Sequence, residues 1–428
     1  TESMEPILQA IVDHCPAPEV DLDGPLQLQI SALDYNSFQG VIGVGRIRRG
    51  QLKRNQQVTV VDRDGGTRNG KILQILGYFG LERIEQQTAT AGDIVCITGL
   101  DPLSISDTIC STDAPEGLPP LTVDEPTVSM TFQVNDSPFA GREGKYVTSR
   151  NIKDRLDREL IHNVALRVEQ GDTPDKFVVS GRGELHLSVL IESMRREGFE
   201  LGVSRPEVIV RDNDGVKEEP FEYVVIDIED QHQGAVMEAM GLRKGDMKNM
   251  APDGQGRLRL EYIIAARGLI GFRSQFLTMT SGTGIMSHVF DHYGPVKAGD
   301  LGNRINGVLV SMTDGATTAY SLYNLQDRGR LMVGPGVDVF EGMLLGIHAR
   351  DNDLPVNPVK GKQLTNIRAA GTDENLILTP PIKMTLESAL EFIDDDELVE
   401  VTPAHIRLRK KLLKESDRKR AGRSKAAS

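Results

Sequence analysis

Two stretches of this chain repeat one order of apolar periodicities. The first opens with the alternating run TVSMTFQV at Thr127. It continues with NIKDRLDREL, where Ile152, Leu156 and Leu160 share a helical stripe, and with the short strand-like runs VALRVEQ and KFVVSG. In ELHLSVLIESMRREG, Leu187, Leu190, Ile191 and Met194 fall at i, i+3, i+4 and i+7, and VSRPEVIVRD closes the series as a strand. This β-α-β-β-α-β order predicts a ferredoxin-like sandwich. It recurs in FEYVVIDIED, GAVMEAMGLRKG, MKNMA, RLRLEYIIA, GFRSQFLTMT and GIMSHVFDHY. A matching Arg-Gly junction stands in each half, Arg182-Gly183 and Arg267-Gly268.

The expected fold class is therefore multidomain α+β, with two such sandwiches in tandem. From Pro25 to about Cys110, short alternating runs broken by glycine, among them LQLQIS and AGDIVCITGL, predict an antiparallel β-barrel. Pro115, Pro119 and Pro120 mark a linker after it. Before it, MEPILQAIVDH reads as a helix stopped at Pro16 and Pro18. Beyond Gly294 the chain turns glycine-rich and strand-like, then predicts a helix from about Leu386 to Ile393, a strand through LVEVT and a basic helical tail. The expected domains are 1–22 (a linker helix), 23–118 (the barrel), 119–213 and 214–297 (the sandwiches) and 298–428 (a β-rich C-terminal domain with a long basic loop).

At 428 residues the chain exceeds what one core serves. No apolar run approaches the roughly 18 residues that span a bilayer, so no membrane is expected as a partner. Three scattered cysteines, Cys15, Cys96 and Cys110, argue against a disulfide framework and against zinc, and fit a reducing cytoplasm. Acidic residues outnumber basic ones by 62 to 49, yet residues 404–428 hold ten Lys and Arg against Glu415 and Asp417. Such a block is either a solvated tail or a polyanion-binding one.

Local motifs for chemistry are few. SGRGELH lacks the third glycine of a dinucleotide fingerprint and reads as a tight turn requiring positive φ. No G-x-x-x-x-G-K-S/T occurs, so no nucleotide hydrolysis is expected of these residues. DNDG at Asp212 reads as a β-turn rather than a calcium loop. DDDE at Asp394–Glu397 reads as a solvated helix end, with pairing to the downstream basic tail as the alternative. His186 and His292 have no catalytic constellation around them, and no catalytic or metal site is expected. The segment from about Arg350 to Thr372 differs. It offers Lys360, Lys362 and Arg368 to phosphates, and Asn357, Gln363 and Asn366 to sugars or base edges, with Gly361 and Gly371 admitting a close backbone. Loops this long are usually functional or disordered, so RNA contact stands beside a plain surface loop.

The chain resembles the part of the BipA/TypA ribosomal GTPases that follows the GTPase domain, over essentially its whole length. DYNSFQGVIGVGRIRRG and AGDIVCITGL resemble the family's translation-factor barrel, and VSGRGELHLSVLIESMRREGFELGVSRPEVI its third domain. RGLIGFRSQFLTMTSGTG with FDHY resembles the module shared with elongation factor G. LQDRGRL, LTNIRAAGTDE and ALEFIDDDELVEVTP resemble the family-specific C-terminal domain, which separates it from LepA-type factors.

The resemblance implies a factor docking at the intersubunit A-site region of the 70S ribosome, contacting large-subunit rRNA and A-site tRNA, and assisting large-subunit assembly or translation under cold or other stress. It implies GTP and Mg for a GTPase domain taken to be missing here, residues 1–22 leading from that domain, and a cytoplasmic monomer. No cofactor and no enzymatic activity are expected of the residues in hand. The implied RNA contacts are Arg350, Asn357, Lys360, Lys362, Gln363, Asn366 and Arg368 in the loop, with Arg407, Arg409, Lys410 and Lys411 in the tail. A LepA-like elongation factor and a scaffold for basic ribosomal proteins are the alternatives.

Overall fold

The computed structural model describes residues 3–16, 19–36, 38–121, 125–299, 301, 304, 306–361 and 376–427. They fall into two compact units, residues 1–124 with 156–165 and residues 125–155 with 166–428. The class is α+β, with many antiparallel strands and few helices. No helix among the described residues is long and apolar enough to cross a membrane.

In the first unit the helix Glu5–His14 precedes an eight-stranded sheet. Its order is Thr67–Lys71, Gln57–Val61, Thr108–Cys110, Gln27–Asn36, Gly40–Arg49, Ile94–Thr98, Gln74–Phe79, Glu82–Gln86. Period-2 alternation is the cause of its core, because every second side chain points to one face. Leu28 and Ile30 accordingly join Ile47, Val58, Val60, Ile75, Val95, Ile97 and Ile109 in one buried cluster.

In the second unit both predicted repeats form sheets with the same strand order. Taken by position in the chain, it is fourth, first, third, second. The earlier runs Leu201–Val203, Val128–Gln133, Lys176–Gly181, Arg167–Gln170; the later runs Ile285–Pro295, Val216–Glu229, Arg257–Ala265, Asp246–Pro252. In the later one, Val224, Ile226 and Ile228 pack with Leu258, Leu260 and Ile264 against the helices Gln233–Leu242 and Phe272–Met279. Phe272 and Phe276 lie in that contact, their rings 6.0 Å apart, and each buried ring contributes about 1.5–3 kcal/mol.

Three local expectations change. The strand predicted through VSRPEVIVRD is broken into Leu201–Val203, Glu207–Val208 and Arg211–Asn213, because Pro206 between them has no N–H to give a ladder. The SGRGELH junction needs no positive φ: Gly183 is extended at φ 174°, and Gly181 is required for space. A Cβ at Gly181 would stand 2.8 Å from His186 Nδ1 and 3.0 Å from Leu187. The left-handed residue is instead Gly198, φ 97°, which ends the helix Glu184–Glu197 by donating its N–H to the last turn.

The third change concerns the tail. Residues 404–428 are not one helix: Ile406–Lys410 is a strand, and the helix is Glu415–Ala427. Ile406–Lys410 pairs with Glu397–Val401, which pairs in turn with Leu201–Val203, so the C-terminal hairpin extends the earlier sheet to seven strands. The register explains why the basic run is a strand. It sets Lys410 opposite Glu397 and Arg407 opposite Glu400, and directly opposed unlike charges stabilise an antiparallel pair. The rest of the C-terminal region is a four-stranded sheet, Gly329–Leu331, Leu344–His348, Val308–Ser311 and Leu354–Val356. Its core holds Leu309, Leu322, Phe340 and Leu345, with Phe139 set edge-on to Phe340 at 5.0 Å.

Candidate nucleic-acid interface

The basic loop stands on one short helix, Ala319–Leu325. Thr318 caps that helix, its hydroxyl accepting from Ser321 N–H. The same hydroxyl donates to the Lys360 carbonyl at 2.8 Å, Thr318 N–H donates to the Pro358 carbonyl, and Ser321 Oγ donates to the Asn357 carbonyl. At the other end of the helix, Gln326 donates to the Ile377 carbonyl at 3.2 Å and accepts from Thr379 N–H at 3.1 Å. Residues 357–360 and 377–379 are therefore tied to one element, with the cap fixing the first stretch and Gln326 the second.

Arg350, Asn357 and Lys360 are exposed at or near this base. Asn357 Oδ1 accepts from Val359 N–H at 3.0 Å. Lys362, Gln363, Asn366 and Arg368 lie outside the described residues.

The tail residues fare differently, and three of the four expected RNA contacts there are corrected. Arg409 is 0% exposed and paired with Asp136; Lys410 is 2% exposed and paired with Asp353, Asp396 and Glu397. Arg407 bonds Glu143 and Glu400 and lies over the Phe139 ring at 5.3 Å. A cation whose hydrogen bonds are spent on internal carboxylates has no N–H for phosphate. Composition counted these charges without seeing that a strand pairing turns them inward. Only Lys411 is exposed, its ammonium on the Asp395 carbonyl.

The carboxylates record the same chemistry. Against burial, which pushes it up, Glu143 is held at about 2 by hydrogen bonds from Thr402, Arg407 and His405. Glu397, wholly buried, is pushed up by burial but brought below its ordinary value by Arg304 and Lys410. DDDE is thus a partner of the basic strand: Asp396 and Glu397 hold Lys410, while Asp394 and Asp395 hold Arg205. DNDG is a hairpin turn, with Asp212 Oδ1 accepting Gly215 N–H at 2.9 Å and Asp214 and Gly215 at positive φ. His186 Nδ1 faces Arg182 N–H, and His292 stacks on Phe221 at 5.1 Å with Nδ1 on Asp291.

Sequence reasoning missed Asp136 and Glu143, which lie more than 260 positions from their basic partners and in no periodic pattern. It also missed Arg243, Arg330 and Lys383, scattered cations that the fold collects around one cavity.

With that geometry in view, the similarities to known proteins follow. Residues 306–415 match the TypA/BipA C-terminal domain, residues 216–303 the elongation factor G C-terminus, and residues 40–110 elongation factor Tu domain 2. The chain is 64% identical over 423 residues to the large ribosomal subunit assembly factor BipA of Escherichia coli K12, covering 99% of this chain and 70% of that protein. It is 62% identical to the BipA of Haemophilus influenzae, over 99% and 69%, and 56% identical to that of Buchnera aphidicola, over 99% and 70%. The expectation that this chain lacks the GTPase domain and is no enzyme conflicts with these alignments, which run over 99% of it in a family of GTPases. The search for one phosphate-cradling motif weighed a single loop, whereas the alignment weighs nearly every residue. The chain belongs to the TypA/BipA family of translational GTPases.

Proposed function

We propose that this chain acts on the ribosome in large-subunit assembly and in translation under cold or other stress, docking at the intersubunit A-site region. In this reading the segment from Arg350 to Arg368 contacts large-subunit rRNA and A-site tRNA, with Lys411 as a further contact. Its relatives' description as large ribosomal subunit assembly factors supports the ribosomal setting. The observation that carries the RNA contact is the anchoring of residues 357–360 and 377–379 on the helix Ala319–Leu325 and Gln326 just after it, beside exposed Arg350, Asn357 and Lys360. Lysine and arginine neutralise phosphates with counterion release.

GTP with Mg²⁺ is the nucleotide and ion of the reaction proposed, and a cytoplasmic monomer is its form. The eight-stranded sheet is read as the translation-factor barrel and the two β-α-β-β-α-β segments as ferredoxin-like domains, supported by their common strand order. The domain limits 23–118, 119–213, 214–297 and 298–428 are kept, with the strands of 397–410 lent back to the sheet of 119–213.

The test is ribosome affinity from about 50 to 200 mM monovalent salt for the wild type and for Lys360→Ala/Lys362→Ala/Arg368→Ala. Three phosphate contacts contribute roughly −2 to −3 to the slope of log affinity against log salt, so the variant should be flatter by that amount. Parallel slopes would reduce the loop to a spacer and leave room for a protein-binding scaffold.

A further inference from the structure

A cavity of about 810 Å³ opens within the second unit, between the end of the helix Gln233–Leu242, the helix Phe272–Met279 and the segment Ile382–Ile393. Five cations line it, Arg205, Arg243, Arg304, Arg330 and Lys383, against one carboxylate, Glu391. This composition is unusual in an acidic chain, and the five are not equivalent.

Arg205 and Arg304 are neutralised from behind, the first by Asp394 and Asp395 at 3.3 and 3.4 Å, the second by Glu397 at 2.8 Å. Arg243 has no such partner among the described residues. Its guanidinium lies over the Phe272 ring at 4.7 Å, one Nη donates to the neutral Gln275 at 3.0 Å, and its buried Nε donates to nothing. Burial lowers its pKa, the direction for a cation without a counter-charge. Arg330 and Lys383 are exposed at the cavity, with no carboxylate against either among the described residues. Glu391 accepts from the neutral Ser274 Oγ and keeps its charge, which offsets one of the three cations. Three cations against one carboxylate leave the cavity positive.

The remaining walls are mixed, with Leu242, Ile347, Ile382 and Phe392 among the apolar side chains and Ser274, Gln275, Thr278, Asn306 and Ser388 the polar ones. A concave site of this volume, lined by apolar and polar side chains together with charged donors, has the form taken by sites for small polar ligands. A planar guanidinium with free N–H groups, in a cavity also lined by an ammonium, selects phosphate oxygens, which accept in pairs. We infer that this cavity binds a phosphate-bearing ligand, its phosphate held by Arg243, Arg330 and Lys383 and its less polar part set against Ile347, Ile382 and Phe392. The site is separate from the loop of 350–368 and does not depend on its reading.

Phosphate can arrive on a small molecule or on a polynucleotide, and the two are distinguished by titration calorimetry of the full chain with three probes. These are inorganic pyrophosphate, adenosine diphosphate and an RNA pentanucleotide; the adenine nucleotide avoids the family's own guanine chemistry. Each is titrated into the wild type, into Arg243→Gln, and into Arg330→Ala/Lys383→Ala, whose exposed side chains leave the fold intact. One-to-one binding is expected, weakened about 10-fold or more in both variants, since a charge-assisted hydrogen bond carries about 1.5–3 kcal/mol. The loop variant lacking Lys360, Lys362 and Arg368 should bind the same probes as the wild type does. Heat from pyrophosphate and adenosine diphosphate but not RNA assigns a small ligand; heat from RNA, with the same dependence, assigns a polynucleotide. No binding of any probe at millimolar concentration, or equal binding by wild type and both variants, would overturn the inference.

Discussion

Arg304 grips Glu397 with both terminal nitrogens, each 2.8 Å from a carboxylate oxygen, and its guanidinium lies over the Phe392 ring at 4.6 Å. Glu397 is wholly buried and also meets Lys410 at 2.9 Å. Removing one member of such a set leaves a charge desolvated and unpaired. Glu397→Ala should therefore cost about 3–5 kcal/mol in urea denaturation. A loss under about 1 kcal/mol would mean water replaces the carboxylate.

Lys410 and Lys411 are neighbours with opposite surroundings, so they should separate stability from binding. Lys410→Ala removes a cation from Asp353, Asp396 and the buried Glu397, which keeps Arg304, and should destabilise by about 1.5–3 kcal/mol. Lys411→Ala should leave the melting temperature within about 1–2 °C, since exposed charges contribute within about 0.5 kcal/mol, and should lessen the salt dependence of ribosome binding. The reverse assignment of effects would return Lys410 to the RNA surface.

Glu184 is expected to shape the pH dependence of stability. Burial first, then Glu391 and Glu222, raise it from 4.5 to about 7, with His288 and Arg273 opposing. A carboxyl raised in the folded state contributes stability that is full below about 4.5 and lost as pH climbs through about 7. The half-buried position keeps the effect to about 1–3 kcal/mol. Glu143, held at about 2, acts in a lower window and with the opposite sign. Glu184→Gln should therefore gain on the wild type between pH 5 and 8, as read by urea midpoints at both pH values. Identical profiles for the two proteins would rule the group out.

Two truncations should part company. Deleting 415–428 removes the helix Glu415–Ala427 and should leave the second unit folded, whereas deleting 404–428 also removes the strand Ile406–Lys410 and its buried ion pairs. Only the longer deletion should lower the melting temperature sharply. Equal melts for the two proteins would show that the strand adds nothing to the sheet.

Elements with strong local periodicity were legible in the sequence. The stripe Leu187, Leu190, Ile191 and Met194 is the buried face of its helix, and the six segments of the second repeat each became the element that their patterns predict. Boundaries failed where one residue overrides a pattern, as at Pro206. The charged run of the tail failed for another reason. Arg407 and Arg409 alternate with Ile406 and Leu408 over too few residues to declare a strand, and two of the acidic partners, Asp136 and Glu143, lie far off in the chain. Of the interface, the loop's composition was readable, but the anchoring of residues 357–360 and 377–379 on the helix Ala319–Leu325 and Gln326 was not. Nothing in Thr318 or Gln326 announces which carbonyl it will meet.

The hairpin that finishes the seven-stranded sheet also bears on how the chain is made. Leu201–Val203 acquires its outer neighbour only from Glu397–Val401, about 200 residues later. At roughly 5–20 residues per second, synthesis of that stretch occupies about 10–40 s. For that interval the nascent chain carries an unpaired strand edge, the kind of surface that recruits strands from other polypeptides. Successful production of the protein thus depends on shielding an unfinished sheet until its final strands emerge.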